Sequence, residues 1–173
     1  MSNPSERLGA LLQGSTPLLA LAPMQEVTDG AFWTLVHKYG GADVYWTEYF
    51  RVHSTSTPEK KILEAITRNT TGQPVIAQMI GNDIPELVRT AKLLQQYPIA
   101  AIDLNLGCPA PIVYRKCAGG GLLREPDRNS KLGPLRDSGA HHIRIEVGRD
   151  DHLPACCMNI AHVFRGQHCA SAD

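Results

Sequence analysis

The stretch Leu18-Leu19-Ala20-Leu21-Ala22-Pro23-Met24-Gln25 decides between the two folds open to this chain. Its apolar residues run without alternation and stop at Pro23, the pattern of a strand covered on both faces. Comparable runs follow at Asp43-Val44-Tyr45-Trp46-Thr47, at Pro74-Val75-Ile76-Ala77-Gln78-Met79-Ile80 and from Ala100 to Leu104. Their starts lie roughly 25–30 residues apart with helical text between, the spacing of successive βα units. Such units build either an open doubly wound sheet or a closed eight-stranded barrel. The open nucleotide-binding sheet needs a glycine-rich phosphate turn after its first strand. Here Ala22-Pro23-Met24-Gln25 stands in that place, and no glycine comes before Gly30. The barrel is favoured.

The connecting helices carry their own start and stop signals. Thr28 and Asp29 offer N-caps, Phe32, Leu35, Val36 and Tyr39 form a stripe at i, i+3, i+4 and i+7, and Gly40-Gly41 ends it. Glu59 to Thr67 predicts a short helix. Asp83-Ile84-Pro85-Glu86 reads as a capping box, with Leu87, Val88, Ala91 and Leu94 continuing the stripe from Ile84. Trp33 is expected in helix packing and Trp46 facing a barrel layer. A fifth strand is expected at Ile143 to Val147.

A complete barrel takes about 250 residues, and this chain has 173. The expected fold class is therefore α/β, a partial TIM (β/α)8-type barrel of four to five βα units, truncated C-terminally. Residues 1–17 read as a polar, turn-rich extension, 18–150 as the incomplete barrel, and 151–173 as an atypical tail without a clean period.

Bulk properties narrow the function. A hydrophobic fraction of 43% and a charged fraction of 20% are those of an ordinary globular protein. Seventeen basic residues balance seventeen acidic ones, so nucleic acid would have to be held by a local patch, not a global field. No apolar run is long enough to span a membrane, and Pro17 interrupts the only candidate leader segment. A cytoplasmic address is the expectation. Cys108, Cys117, Cys156, Cys157 and Cys169 are odd in number and lack paired two-residue spacing, which reads as reduced thiols. His141, His142, His152, His162 and His168 are read as incidental, with no metal site.

In a βα barrel, chemistry sits where strands end and loops begin. That rule selects Pro23, Met24 and Gln25, then Glu48 to Arg51, Gln78, and Asn105 to Pro109. The set holds amides, a thioether, an arginine and one thiol, but no carboxylate pair. Amides suit the edge of a uracil or flavin ring, which alternates donors and acceptors. Cys108 has two readings: a small residue filling a tight turn, or a thiol presented from a strand end between Gly107 and Pro109. Gly119-Gly120-Gly121 reads equally as a loop that approaches a phosphate or as a flexible connector.

Together these residues resemble the tRNA-dihydrouridine synthases, a family of flavin-dependent barrel enzymes. The resemblance is carried by Leu21-Ala22-Pro23-Met24 with Val27-Thr28-Asp29, and by Thr47-Glu48-Tyr49-Phe50-Arg51-Val52. It continues through Ala77-Gln78, Asp103-Leu104-Asn105-Leu106-Gly107-Cys108-Pro109, Val113 and Gly119-Gly120-Gly121-Leu122-Leu123. It implies flavin mononucleotide (FMN) lined by Pro23, Met24, Gln25 and Gln78, with NADPH as reductant. It implies that Asn105 lies beside a target uracil and Arg51 contacts the tRNA. Cys108 would be the general acid, giving a proton to C5 of a uridine whose C6 receives a hydride. An unperturbed thiol, with a pKa of about 8.5, is largely protonated at neutral pH and can serve in that role.

Beyond residue 130 the resemblance thins. Where the family has Lys-x-Arg on its fifth strand, this chain has Arg144-Ile145-Glu146, so Arg144 would replace a flavin-contacting lysine. The expectation is that the chain by itself binds FMN weakly or not at all and requires the missing half-barrel, with no stable protein partner. Two other readings stay open: a flavin barrel reductase acting on a free pyrimidine, and a non-catalytic fragment of such an enzyme.

Overall fold

The computed structural model describes residues 3–124. Five strands form one parallel sheet: β1 (Ala20–Leu21), β2 (Val44–Trp46), β3 (Phe50–Arg51), β4 (Val75–Ile80) and β5 (Ala101–Leu104). β1 pairs with β2, β2 and β3 both pair with β4, and β4 pairs with β5. The sheet thus follows chain order, without the reversal that marks the switch point of an open doubly wound fold. Sequential parallel pairing is what consecutive βα units of a TIM-type barrel make. The expected α/β class holds.

β2 and β3 are one strand with an extra residue. Trp46 stands opposite Ile76 and Phe50 opposite Met79, so residues 47–49 face only Ala77 and Gln78. This is a β-bulge, a device that re-aims side chains beside a site. Thr47 repairs the ladder: its N–H donates to the Ile76 carbonyl (3.0 Å), and its Oγ1 accepts from the Gln78 N–H (3.0 Å).

Both faces of the inner strands β2 and β4 are covered, but β1 at the sheet edge, expected to be covered on both faces, is not: Ala20 and Leu19 are exposed. On the outer face, Tyr45, Val75, Ala77, Met79 and Ile102 pack with Trp33 of α2 (Gly30–Lys38), Ile62 and Ile66 of α3 (Lys60–Thr67), and Leu87, Ala91 and Leu94 of α4 (Ile84–Leu94). On the inner face, Val44, Trp46, Ile76 and Ala101 form a second apolar layer with Leu8. Period-two alternation explains the division, since 44, 46, 76 and 101 point one way and 45, 75, 77 and 102 the other. All of β4 is buried, as its non-alternating, mostly apolar run predicted, with Gln78 as its one polar residue.

Leu8 belongs to an element the sequence reading did not foresee. Residues Pro4–Gln13 form helix α1, not merely an extension. Asn3 caps it by accepting from the Ser5 N–H (3.1 Å), and Pro4 occupies its first turn. Leu8 is buried on the inner layer with Leu11 and Leu12 beside it. Ser5 Oγ donates to the Ala100 carbonyl (2.9 Å), and Arg7 donates to the Gly72 carbonyl and to Gln73 Oε1. The helix therefore closes the N-terminal end of the strands.

A second difference concerns α2. Asp29 caps it as expected, accepting from the N–H groups of Ala31 (3.1 Å) and Phe32 (3.0 Å). Its buried residue is Trp33, however, while Leu35 and Tyr39 of the expected stripe are exposed. The indole meets Tyr45 with ring centroids 6.0 Å apart, and this large contact sets the rotation of the helix. The cap at Asp83 accepts from the Glu86 N–H (3.3 Å), but Glu86 turns its carboxylate to Arg89 (2.6 Å), so only half of the expected capping box is made. Among the described residues, no helix is long and apolar enough to cross a membrane. The expected strand at 143–147 and the tail at 151–173 lie outside the described residues.

Candidate active site

The inner face changes character along the strands. Above the layer of Trp46, Ile76 and Ala101, the next inward residues are Gln78 on β4 and Asp103 on β5, which are register partners. Both are buried, and so is the indole that reaches them. Asp103 Oδ2 accepts from Gln78 Nε2 (2.6 Å) and from Trp46 Nε1 (3.3 Å). Burial raises the Asp103 pKa to about 6, against the opposing pull of the hydrogen bonds from Gln78, Trp46 and the Leu104 backbone. Its second oxygen, Oδ1, has no hydrogen-bond partner among the described residues.

From Gln78 the polar array runs out to the loop. Gln78 Oε1 accepts from Asn105 Nδ2 (3.0 Å). Asn105 Oδ1 in turn accepts from the backbone N–H groups of Gly107 (3.1 Å) and Cys108 (2.9 Å). The backbone of Asn105 is itself anchored, its N–H donating to the Met79 carbonyl (2.8 Å). Cys108 is half-buried in the turn so defined. Behind it, a 3-10 helix at Gly119–Arg124 folds back, and the Gly120 N–H donates to the Cys108 carbonyl (3.0 Å). The glycines thus make their close approach to the Cys108 loop itself. Of the two readings open for this stretch, neither foresaw that contact.

The first strand-end loop is held by Thr28, fully buried, whose Oγ1 accepts from the Met24 N–H (2.9 Å) and donates to the Met24 carbonyl (3.1 Å). Met24 is left with an exposed thioether. Gln25 ties this loop to the bulge: its Oε1 accepts from the Tyr49 N–H (3.2 Å) and its Nε2 donates to Glu48 Oε2 (3.4 Å). Glu48 is buried, and its Oε1 has no partner among the described residues. The Arg51 guanidinium lies over the Tyr49 ring (5.3 Å to the centroid) and 3.7 Å from Glu59. Burial raises the Tyr49 pKa, against the opposing pull of the Arg51 guanidinium beside it.

The structure therefore joins Gln78, Asn105 and Cys108 in one continuous array at the strand ends, with Met24 and Gln25 on the neighbouring loop. Arg51 stands apart at the exposed side. Arg144 lies outside the described residues. Tyr49, within the strand-end stretch Glu48 to Arg51, borders the array; Asp103, Trp46 and Thr47 take part in it, and the strand-end rule selected none of these three. Asp103 alone left a signal: a carboxylate at an inward position of an otherwise apolar strand.

A parallel βα sheet in chain order, with its polar array at the carboxyl ends of the strands, is the arrangement of successive units of a TIM-type barrel. The sequence profile of the dihydrouridine synthase (Dus) family matches residues 20–132. Over 156 residues the chain is 34% identical to the tRNA-dihydrouridine(16) synthase of Neisseria meningitidis (serogroup A / serotype 4A, strain DSM 15465 / Z2491), covering 83% of this chain and 47% of that protein. It is also 34% identical to a "Probable tRNA-dihydrouridine synthase" of Staphylococcus aureus (strain COL) over 133 residues, 76% of this chain and 40% of the relative. A "Probable tRNA-dihydrouridine synthase 2" of Bacillus subtilis (strain 168) matches at 34% over 134 residues, 76% and 41% of the two chains. The chain spans about half the length of these relatives or less. It belongs to the dihydrouridine synthase family.

Proposed function

We propose that this site serves the reduction of uridine to 5,6-dihydrouridine in tRNA, with Cys108 as the general acid. The observation that carries the reading is the array from Gln78 through Asn105 to the Cys108 backbone. It places a thiol and two amides at the strand ends of a chain in this family.

The residues present fit a flavin ring. Each amide nitrogen of Gln78 and Asn105 spends one N–H inside the array, and a primary amide has two. The other can meet a ring edge that offers carbonyl oxygens. Pro23, Met24, Gln25 and Gln78 would hold the group, and Arg144 would take the place of a flavin-contacting lysine. Held by these residues, FMN would supply hydride chemistry for C6 of the uridine, with NADPH as its reductant. Cys108 delivers the proton to C5, and its thiolate regains one from water. Asn105 orients the base, which has to leave its stack to reach a recessed site. Arg51, half of its side chain in solvent, offers a cation to the tRNA backbone.

The test uses cells stripped of their own dihydrouridine synthases, expressing this chain with the missing half-barrel supplied, or the same protein with Cys108→Ala. Mass spectrometry of their tRNA should find dihydrouridine with the first and none with the second. Equal amounts in both would make a non-catalytic protein the better reading. Faster turnover of free uracil than of unmodified tRNA would move the substrate to a free pyrimidine.

A further inference from the structure

We infer that Asp103 is a positioning residue whose carboxylate sets the direction of the whole amide array and thereby seats the backbone that carries Cys108. This rests on the reading of Cys108 as the reacting thiol.

The argument is one of donors and acceptors. An ionised carboxylate can only accept. Asp103 Oδ2 lies 2.6 Å from one end of the Gln78 amide, so that end has to be the NH2 group. The carbonyl end of Gln78 then faces Asn105 (3.0 Å), which must answer with its own NH2. Asn105 is left with its oxygen toward the loop, where it accepts from the N–H groups of Gly107 and Cys108. Had Gln78 been reversed, Asn105 would reverse too, and its NH2 would confront two backbone donors. Trp46 Nε1, a donor only, meets the same oxygen from the far side and holds the carboxylate in place. A buried carboxylate is costly to desolvate, and Asp103 is 1% exposed on a strand whose other residues are apolar. Direction along the array is what that cost secures.

The experiment uses the full chain and needs neither flavin nor tRNA, so its failure is separate from failure of the uridine reading. Iodoacetamide alkylation of Cys108 and Cys117 is followed by peptide-resolved mass spectrometry in the wild type and in Asp103→Leu and Asp103→Asn. Hydrogen exchange of the peptide containing Gly107 and Cys108 is measured on the same samples. Asp103→Leu removes the acceptor. It should speed alkylation of Cys108 and exchange of the two amides by about five-fold or more, the effect of losing one ordinary hydrogen bond on a local opening. Asp103→Asn can still offer an oxygen to Gln78 and should restore both rates toward wild type. If Asp103→Leu fails to fold, Gln78→Met cuts the array one link further on and should show the same Cys108-selective change. An acceleration shared equally by Cys117, no acceleration, or an Asp103→Asn protein as altered as Asp103→Leu would overturn the assignment.

Discussion

A methyl group on Gly119 would sit 3.0 Å from the Cβ of Cys108 and 3.0 Å from its carbonyl oxygen. Gly119 also has φ +55°, in the left-handed region that side chains avoid. Gly119→Ala should therefore cost about 1–2 kcal/mol from backbone strain alone. The loss should concentrate in the Cys108 loop. A urea midpoint shows the global part, and hydrogen exchange at Gly120, which bonds the Cys108 carbonyl, shows the local part. Unchanged exchange there would mean that the 3-10 helix does not brace the loop.

Asp103 predicts a pH dependence of stability. Its folded pKa is raised to about 6, while an unfolded aspartate titrates near 3.9. Between those values the native state holds a proton that the unfolded chain has released. Stability from this group is thus fully present below about pH 4 and is lost as pH rises through about 6, on the order of 3 kcal/mol in all. Urea midpoints of the wild type, compared with Asp103→Asn across that window, should show the wild type falling more steeply with rising pH. Parallel curves would show that Asp103 titrates as an ordinary carboxyl.

Thr47→Val keeps the shape of the bulge but removes the oxygen that accepts from the Gln78 N–H. A buried donor left unmade costs about 1–3 kcal/mol, and Thr47 is fully buried. Thr47→Ser retains the hydroxyl and should lose less. Equal losses for Ser and Val in denaturant titrations would assign the effect to the missing methyl group, not the bond.

Leu8→Ala tests whether α1 is part of the fold. Leu8 is 5% exposed against Val44, Trp46 and Ile76, and truncating a buried leucine costs about 2–5 kcal/mol. A change below about 0.5 kcal/mol, the range of ordinary surface substitutions, would show that the helix merely rests on the sheet.

By itself the sequence determined the class of fold and the order of its strands. Apolar runs without alternation, ending at Pro23, Thr47, Gly81 and Asn105, read as strands of a parallel sheet, and no glycine-rich turn follows the first; β1 lies at the sheet edge and is not covered on both faces. The strand-end rule likewise brought out Met24, Gln25, Asn105 and Cys108 after strands and Gln78 inside one, because local text alone puts those residues there. Some of the rest was written in the sequence and passed over: Asn3, Pro4 and the spacing of Leu8, Leu11 and Leu12 announce α1. The rotation of α2 was decided by Trp33 meeting Tyr45, a contact between residues on different elements that periodicity does not report. The bulge at 47–49 was decided by pairing register, which exists only once β4 is in place. The candidate site's logic came from the tertiary structure for the same reason. Asp103 and Gln78 are 25 positions apart in the chain, and only the pairing of β4 with β5 turns a buried carboxylate and an amide into a directed path to Cys108.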